Sequence, residues 1–327
     1  MQRIKICNHR IIIILLFLLL VHIVLYLVNF NKIYLINNKI HLCNKDNLKY
    51  GNIFVTGNLK GTLYYIGCNN KIDLTAKRSY VLSKYNNYIN IDLGNFTYGN
   101  AQIDSLLIPL LLECFKYMKI SCINFTKWDL LNISNVKYNL QNDLFVSANI
   151  ETNCKMIPIN KYKLVPLTLK SNNDEILINV GITGISDDQR LINKNNVNYN
   201  VLDIKSSLNN TIPNLYQADI KILLFNSSFF KLKEIVNDNK MKIDLIIAQS
   251  SEHETTNKFI YINGIPIIFI DEYGTKLANV KIYKRKYKYE YDLNIIDLIK
   301  NIPEDNKIRS IVDLYYNKIQ QANYINK

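Results

Sequence analysis

Asn52-Ile53-Phe54-Val55-Thr56-Gly57-Asn58-Leu59-Lys60-Gly61 is a short β-branched and aromatic run that ends in a polar loop bracketed by glycines. It reads as a strand that delivers a loop to a site. The arrangement recurs along the chain. Tyr88 to Leu93 leads into Asp92-Leu93-Gly94-Asn95, and Ser121 to Phe125 into Thr126-Lys127-Trp128-Asp129. Ile220 to Phe225 leads into Phe225-Asn226-Ser227, and Ile243 to Ala248 into Ala248-Gln249-Ser250-Ser251-Glu252.

Further runs with strand character are Leu144 to Asn149, Ile176 to Ile182, Phe259 to Ile262, Ile265 to Ile270 and Val280 to Tyr287. Helical stretches intervene at Lys77 to Lys84, at Asp104 to Lys119 and at Phe230 to Asn237, with a last one at Pro303 to Ala322. In the second, Asp104 is placed to cap and Pro109 interrupts a helix apolar on more than one face. Strands alternating with helices, then a strand-rich final third, predict an α/β layered fold. Lys281 to Tyr289 alternates basic residues with Tyr, which fits a solvated edge strand guarded by lysines better than an anion-binding ribbon.

Upstream, Arg3, Lys5 and Arg10 precede an apolar run from Ile11 to Val28, broken only by His22 and about long enough to cross a bilayer. No small-residue cleavage site follows, so residues 1–30 read as a cytoplasmic basic end and an uncleaved anchor. Residues 31–50 then form a stalk, 51–290 the folded domain and 291–327 a C-terminal packing segment. The expected location is a single-pass membrane protein with its domain extracytoplasmic; cleavage would make it secreted. Cys7 falls on the cytoplasmic side, and Cys43, Cys68, Cys114, Cys122 and Cys154 fall outside with pairing open. A net charge of +13 is spread along the 327 residues, so nucleic acid is not the expected partner. Nucleophile-elbow, phosphate-loop and dinucleotide motifs are absent.

From Asn52 to Ala322 the order of motifs resembles calcineurin-like metallophosphoesterases, especially the catalytic domain of the bacterial-type 5′-nucleotidases. Gly57-Asn58-Leu59-Lys60-Gly61 is similar to Gly-Asp-x-His-Gly, and Asp92-Leu93-Gly94-Asn95 to Asp-x-Gly-Asp. Gly67-Cys68 with Thr75-Ala76-Lys77-Arg78 is similar to the branch's Gly-Cys and Leu-Ala-Arg-Arg run. The resemblance implies a four-layer αββα sandwich behind the N-terminal transmembrane helix. It also implies where metal ligands should stand, and there the motifs are degraded. The first Asp and His fall on Asn58 and Lys60, and the bridging Asp on Asn95. The Asn-His pair falls on Lys127 and Trp128, and a later His on Asn226. The last two fall on Ser250 and Glu252, with His253 displaced by one.

Two divalent ions held close together repel, and bridging carboxylates are what make that pair tolerable. Amides bring no negative charge, and a unit charge such as Lys60 or Lys127 at about 4 Å adds repulsion of about 4 kcal/mol. The expectation is a non-catalytic, membrane-anchored relative with no cofactor, whose pocket of Asn58, Lys60, Asn95, Lys127, Asn226 and Ser250 holds a phosphate-bearing or other anionic ligand. A second reading is a working phosphoesterase that binds one ion through Asp92, Asp129, Glu252 and His253, with Asp129 and His253 catalytic. A third is a basic surface-binding protein.

Overall fold

The computed structural model describes residues 48–66, 71–133, 143–152, 158–172, 174–186, 191–194, 197–237, 242–249, 256–270, 272–286 and 288–325. The run Ile11 to Val28, four of the cysteines, and Ser250, Glu252 and His253 lie outside them. Among the described residues no helix is long and apolar enough to cross a membrane. One compact unit holds Lys49–Lys170 and Asp174–Lys327; of the other, only Leu48, Ser171 and Asn172 are described.

The first half of the larger unit contains β1 (Tyr50–Thr56), β2 (Tyr64–Ile66), β3 (Lys71–Asp73), α1 (Leu74–Leu82), β4 (Tyr88–Asp92), α2 (Ala101–Tyr117), β5 (Cys122–Asn124) and α3 (Lys127–Ile133). Next come β6 (Phe145–Val146), β7 (Ile150–Thr152), β8 (Ile159–Asn160), β9 (Tyr162–Lys170), β10 (Glu175–Ser186), β11 (Leu191–Lys194), β12 (Val197–Val201) and α4 (Ile204–Thr211). The last third holds β13 (Ile220–Asn226), α5 (Phe229–Val236), β14 (Leu245–Gln249), β15 (Ile260–Ile262), β16 (Ile265–Ile270), β17 (Lys276–Lys284), β18 (Tyr289–Asp297) and α6 (Asn306–Ile325).

The two main sheets, ordered β18-β17-β1-β4-β5-β6-β8 and β15-β16-β14-β13-β10-β9, are joined by one bridge between Tyr50 and Lys170, and β11-β12-β7 and β2-β3 pair separately. Their centres are parallel, β1 with β4 and β10 with β13 and β14, so the strand ends carrying the loops point one way. Alternation along each strand builds the layers. Ile53 and Val55 of β1 join Val180 and Ile182 of β10 in a core shared by both sheets. Phe54 between them faces the opposite side, with Leu74 of α1, Leu111 of α2 and Ile308 of α6. On the far side Leu223 and Phe225 of β13 pack with Leu208 of α4 and Leu232 of α5. Helices, sheet, sheet and helices are therefore stacked in that order.

Several sequence boundaries are corrected. α1 begins three residues earlier than Lys77, because Asp73 accepts the Ala76 N–H at 2.8 Å. Asp104 is not the cap of α2. Asn100 caps it, accepting from the N–H groups of Gln102 and Ile103, while Asp104 is turned back to accept from Tyr98 and Gly99. The C-terminal helix does not begin at Pro303: α6 starts at Asn306, with Asp305 accepting from Lys307 and Ile308. β9 and β18 have no counterpart among the strands expected from sequence. With β18 alongside, β17 is an interior strand and not a lysine-guarded edge. Its Lys281 lies over the Tyr50 ring, 5.3 Å from the centroid. Cys114 and Cys122 are free and buried, and burial pushes both thiols up to about 12.

Candidate functional site

The loops after β1 and β4 are laced together by their backbones. Asn58 donates its N–H to Gly94 O at 2.7 Å, and Lys60 its N–H to Asn95 O at 2.8 Å. The lacing requires left-handed backbone at Asn58 (φ 55°), Lys60 (φ 48°) and Asn95 (φ 55°), a conformation that costs a non-glycine residue about 1–2 kcal/mol. Gly94 cannot be replaced there, since a Cβ would lie 2.2 Å from the Asn124 carbonyl oxygen.

Asn58 and Asn95 are brought into contact, as the motifs predict. Asn95 Nδ2 donates to Asn58 Oδ1 at 3.3 Å and to Gln249 Oε1 at 2.9 Å, while Asn95 Oδ1 accepts from Thr126 Oγ1 at 2.7 Å. Gln249 was missed as a member; it ends β14, in line with Phe225–Ala248 pairing one step back, and strand register was the signal that could have found it. Asn58 and Asn226 each keep a buried Nδ2 without a partner among the described residues.

The lysines do not converge as expected. Lys60 Nζ pairs with Glu272 Oε1 at 2.7 Å and leans over the Tyr273 ring, so its charge is already neutralised. Lys127 opens α3, its N–H held by Ser186 Oγ at 2.7 Å, and its ammonium has no partner among the described residues. The neighbouring Trp128 donates Nε1–H to Thr97 O at 3.1 Å and remains half exposed.

Of the three carboxylates offered as metal ligands, Glu252 lies outside the described residues, and the other two are engaged elsewhere. Asp129 is fully buried and accepts from the N–H groups of Asn95, Phe96 and Thr97, from the Thr97 hydroxyl and from the Thr126 hydroxyl, whose one proton it shares with Asn95 Oδ1. Burial nonetheless lifts its carboxyl to about 6, against the pull of those donors. Asp92 accepts from Thr56 Oγ1 at 3.0 Å and Gly94 N–H at 2.9 Å and faces the buried Arg78 guanidinium at 3.9 Å. Burial raises the Asp92 carboxyl and lowers Arg78, and their attraction opposes both shifts. Both aspartates therefore brace loops. Among the described residues no three His, Cys, Asp or Glu side chains gather as a metal set. A donor set of neutral amides beside occupied carboxylates does not fit a pair of divalent ions.

No family model and no curated protein matches the chain. Solved structures do match its fold. The calcineurin-like phosphoesterase YfkN of Bacillus subtilis aligns with a TM-score of 0.62 at 19% identity, over 86% of this chain and 100% of that one. A 5′-nucleotidase precursor of Thermus thermophilus gives 0.59 at 12% identity, over 83% of this chain and 59% of its own. The NAD nucleotidase NadN of Haemophilus influenzae gives 0.56 at 14% identity, over 83% and 60% respectively. With its paired sheets, outer helices and strand-end loops, this chain has the fold of the calcineurin-like phosphoesterases in its 5′-nucleotidase form.

Proposed function

We propose that this protein is a membrane-anchored, extracytoplasmic, non-catalytic relative of the metallophosphoesterases, whose strand-end pocket takes a phosphate-bearing or other anionic ligand. One observation carries the non-catalytic reading. Asn95 bridges Asn58 and Gln249 by donating N–H groups, where a paired metal centre needs a negatively charged oxygen to bridge two cations. With Asn95 Nδ2 donating to the amide oxygens of Asn58 and Gln249, and Asp92 and Asp129 tied to loop donors, nothing among the described residues lowers the pKa of an attacking water. Support for an anion comes from what is left over: the Lys127 ammonium and the buried Nδ2 groups of Asn58 and Asn226 are donors in search of acceptors. The apolar run Ile11 to Val28 behind Arg3, Lys5 and Arg10 supports the anchor.

The test is elemental analysis of the purified chain after incubation with manganese, together with assays on AMP and p-nitrophenyl phosphate. Substoichiometric metal and no turnover are expected, with inorganic phosphate binding weakened about tenfold by Lys127→Ala. Stoichiometric metal with turnover that survives Lys127→Ala would overturn the reading in favour of a hydrolase.

A further inference from the structure

β18 closes one end of the first sheet: it pairs with β17, and no other strand among the described residues pairs with it. Parity fixes which of its backbone groups face outward, because N–H and C=O of successive residues point to opposite sides of a strand. Lys284 donates its N–H to Lys49 O, on the β1 side, at 3.0 Å, so its register partner Tyr289 faces away from β17. Steps of two carry the same orientation to Tyr291, Leu293 and Ile295. Two further bonds agree. Ile295 N–H donates to Asn257 Oδ1, an acceptor outside the sheet, and Leu298, of the opposite parity, donates to Thr275 O just ahead of β17. Asn257 thus closes the edge at Ile295. At Tyr291 and Leu293 the outward N–H groups have no partner among the described residues.

Those groups open onto a cavity of about 620 Å³. Every residue from Tyr291 to Asn294 lines it, which places it along the strand edge and not on one face of the sheet. Its two sides differ in chemistry. Phe259 packs against Tyr291 with ring centroids 6.4 Å apart, and with Leu293 and the 63% exposed Tyr261 it makes an apolar seat. Across the edge, β17 contributes Asn279 and Lys281. Asn279 is 1% exposed and its Oδ1 has no donor, which leaves a buried acceptor unsatisfied.

We propose that β18 accepts an extended peptide segment of a partner protein as an added strand. Its backbone pairs with Tyr291 and Leu293, one side chain enters the apolar seat, and the next, bearing a hydroxyl or amide, donates to Asn279 Oδ1. Outward backbone valence flanked by apolar and polar seats on opposite faces matches the alternation of a β-strand, which is how strand addition gains both affinity and selectivity. This inference is independent of the strand-end pocket.

The test is selection of a phage-displayed library of random eight-residue peptides against the full chain in detergent, followed by titration of the enriched peptides. Alternating apolar and polar sequences are expected, with affinity falling at least tenfold for Leu293→Pro and when alternate peptide amides are N-methylated. Leu293→Pro removes an outward N–H and no bond to β17 but also trims packing on the shared core, so it is compared with Leu293→Ala, which keeps the N–H and should bind the peptides more tightly than the proline variant. Tyr261→Ala, at an exposed position, supplies a second variant and should also weaken binding. Failure to enrich any peptide, binding unaffected by N-methylation and by both variants, glycan binding in the cavity, or self-association of the chain through β18 would each overturn the proposal.

Discussion

Asn95 makes three side-chain hydrogen bonds to three different strand-end segments, and its role turns on the difference between an amide and a carboxylate. Asn95→Asp would restore the charge a metal pair requires, yet would leave Asn58 Oδ1 and Gln249 Oε1 facing an anion without a donor. The expected outcome is a loss of about 2–4 kcal/mol in urea denaturation at neutral pH; an unchanged midpoint would show that the amide bridge does not form in solution. Asp129 gives a prediction in pH. Its folded carboxyl titrates at about 6 against a reference value of 3.8, so between those values the folded state keeps a proton the unfolded chain has lost. Stability from this group is therefore greatest below about pH 4 and declines as pH rises toward 6, by at most about 1.4 kcal/mol per unit. Comparing the wild type with Asp129→Asn isolates the effect: the stability difference should shift toward the variant from pH 4 to 6, and a pH-independent difference would exclude it. The two strand-end loops were legible from residue types in Gly57-Asn58-Leu59-Lys60-Gly61 and Asp92-Leu93-Gly94-Asn95. Lys60's pairing with Glu272 was not, because the two residues are distant in sequence and meet only through the fold.

At the scale of elements, strands with strong apolar runs were readable and their neighbours were not. β1, β4, β13 and β14 are rich in Ile, Phe and Leu and are buried along nearly their whole length, so composition alone marks them. β18 mixes Tyr, Asp, Asn and Ile and is only half buried, and β9 carries Pro166; neither has a pattern that separates it from a loop. Gly184 of β10 shows how closely such elements meet. A Cβ there would lie 2.0 Å from Asn124 Oδ1, whose own Nδ2 is held by the carbonyls of Leu93 and Ile185. Gly184→Ala should therefore cost about 1–3 kcal/mol and lower the Tm. No change would mean that Asn124 can swing away without losing those bonds.

For the whole molecule, the N-terminal run predicts behaviour that the folded domain does not. The full chain should remain in the membrane fraction after alkaline carbonate extraction, and deletion of residues 1–30 should release it; a full chain recovered in the soluble fraction would remove the anchor from the proposal. What sequence alone determined was the layered α/β class and the amide and lysine content of the strand-end loops, because apolar periodicity and side-chain charge are properties of residues read one after another. Tertiary structure alone decided that Asp92 and Asp129 brace loops, that Gln249 joins Asn58 and Asn95, and that β18 presents an open edge. Each of these depends on which groups from distant segments are placed within hydrogen-bonding reach, and that is set by the packing of two sheets.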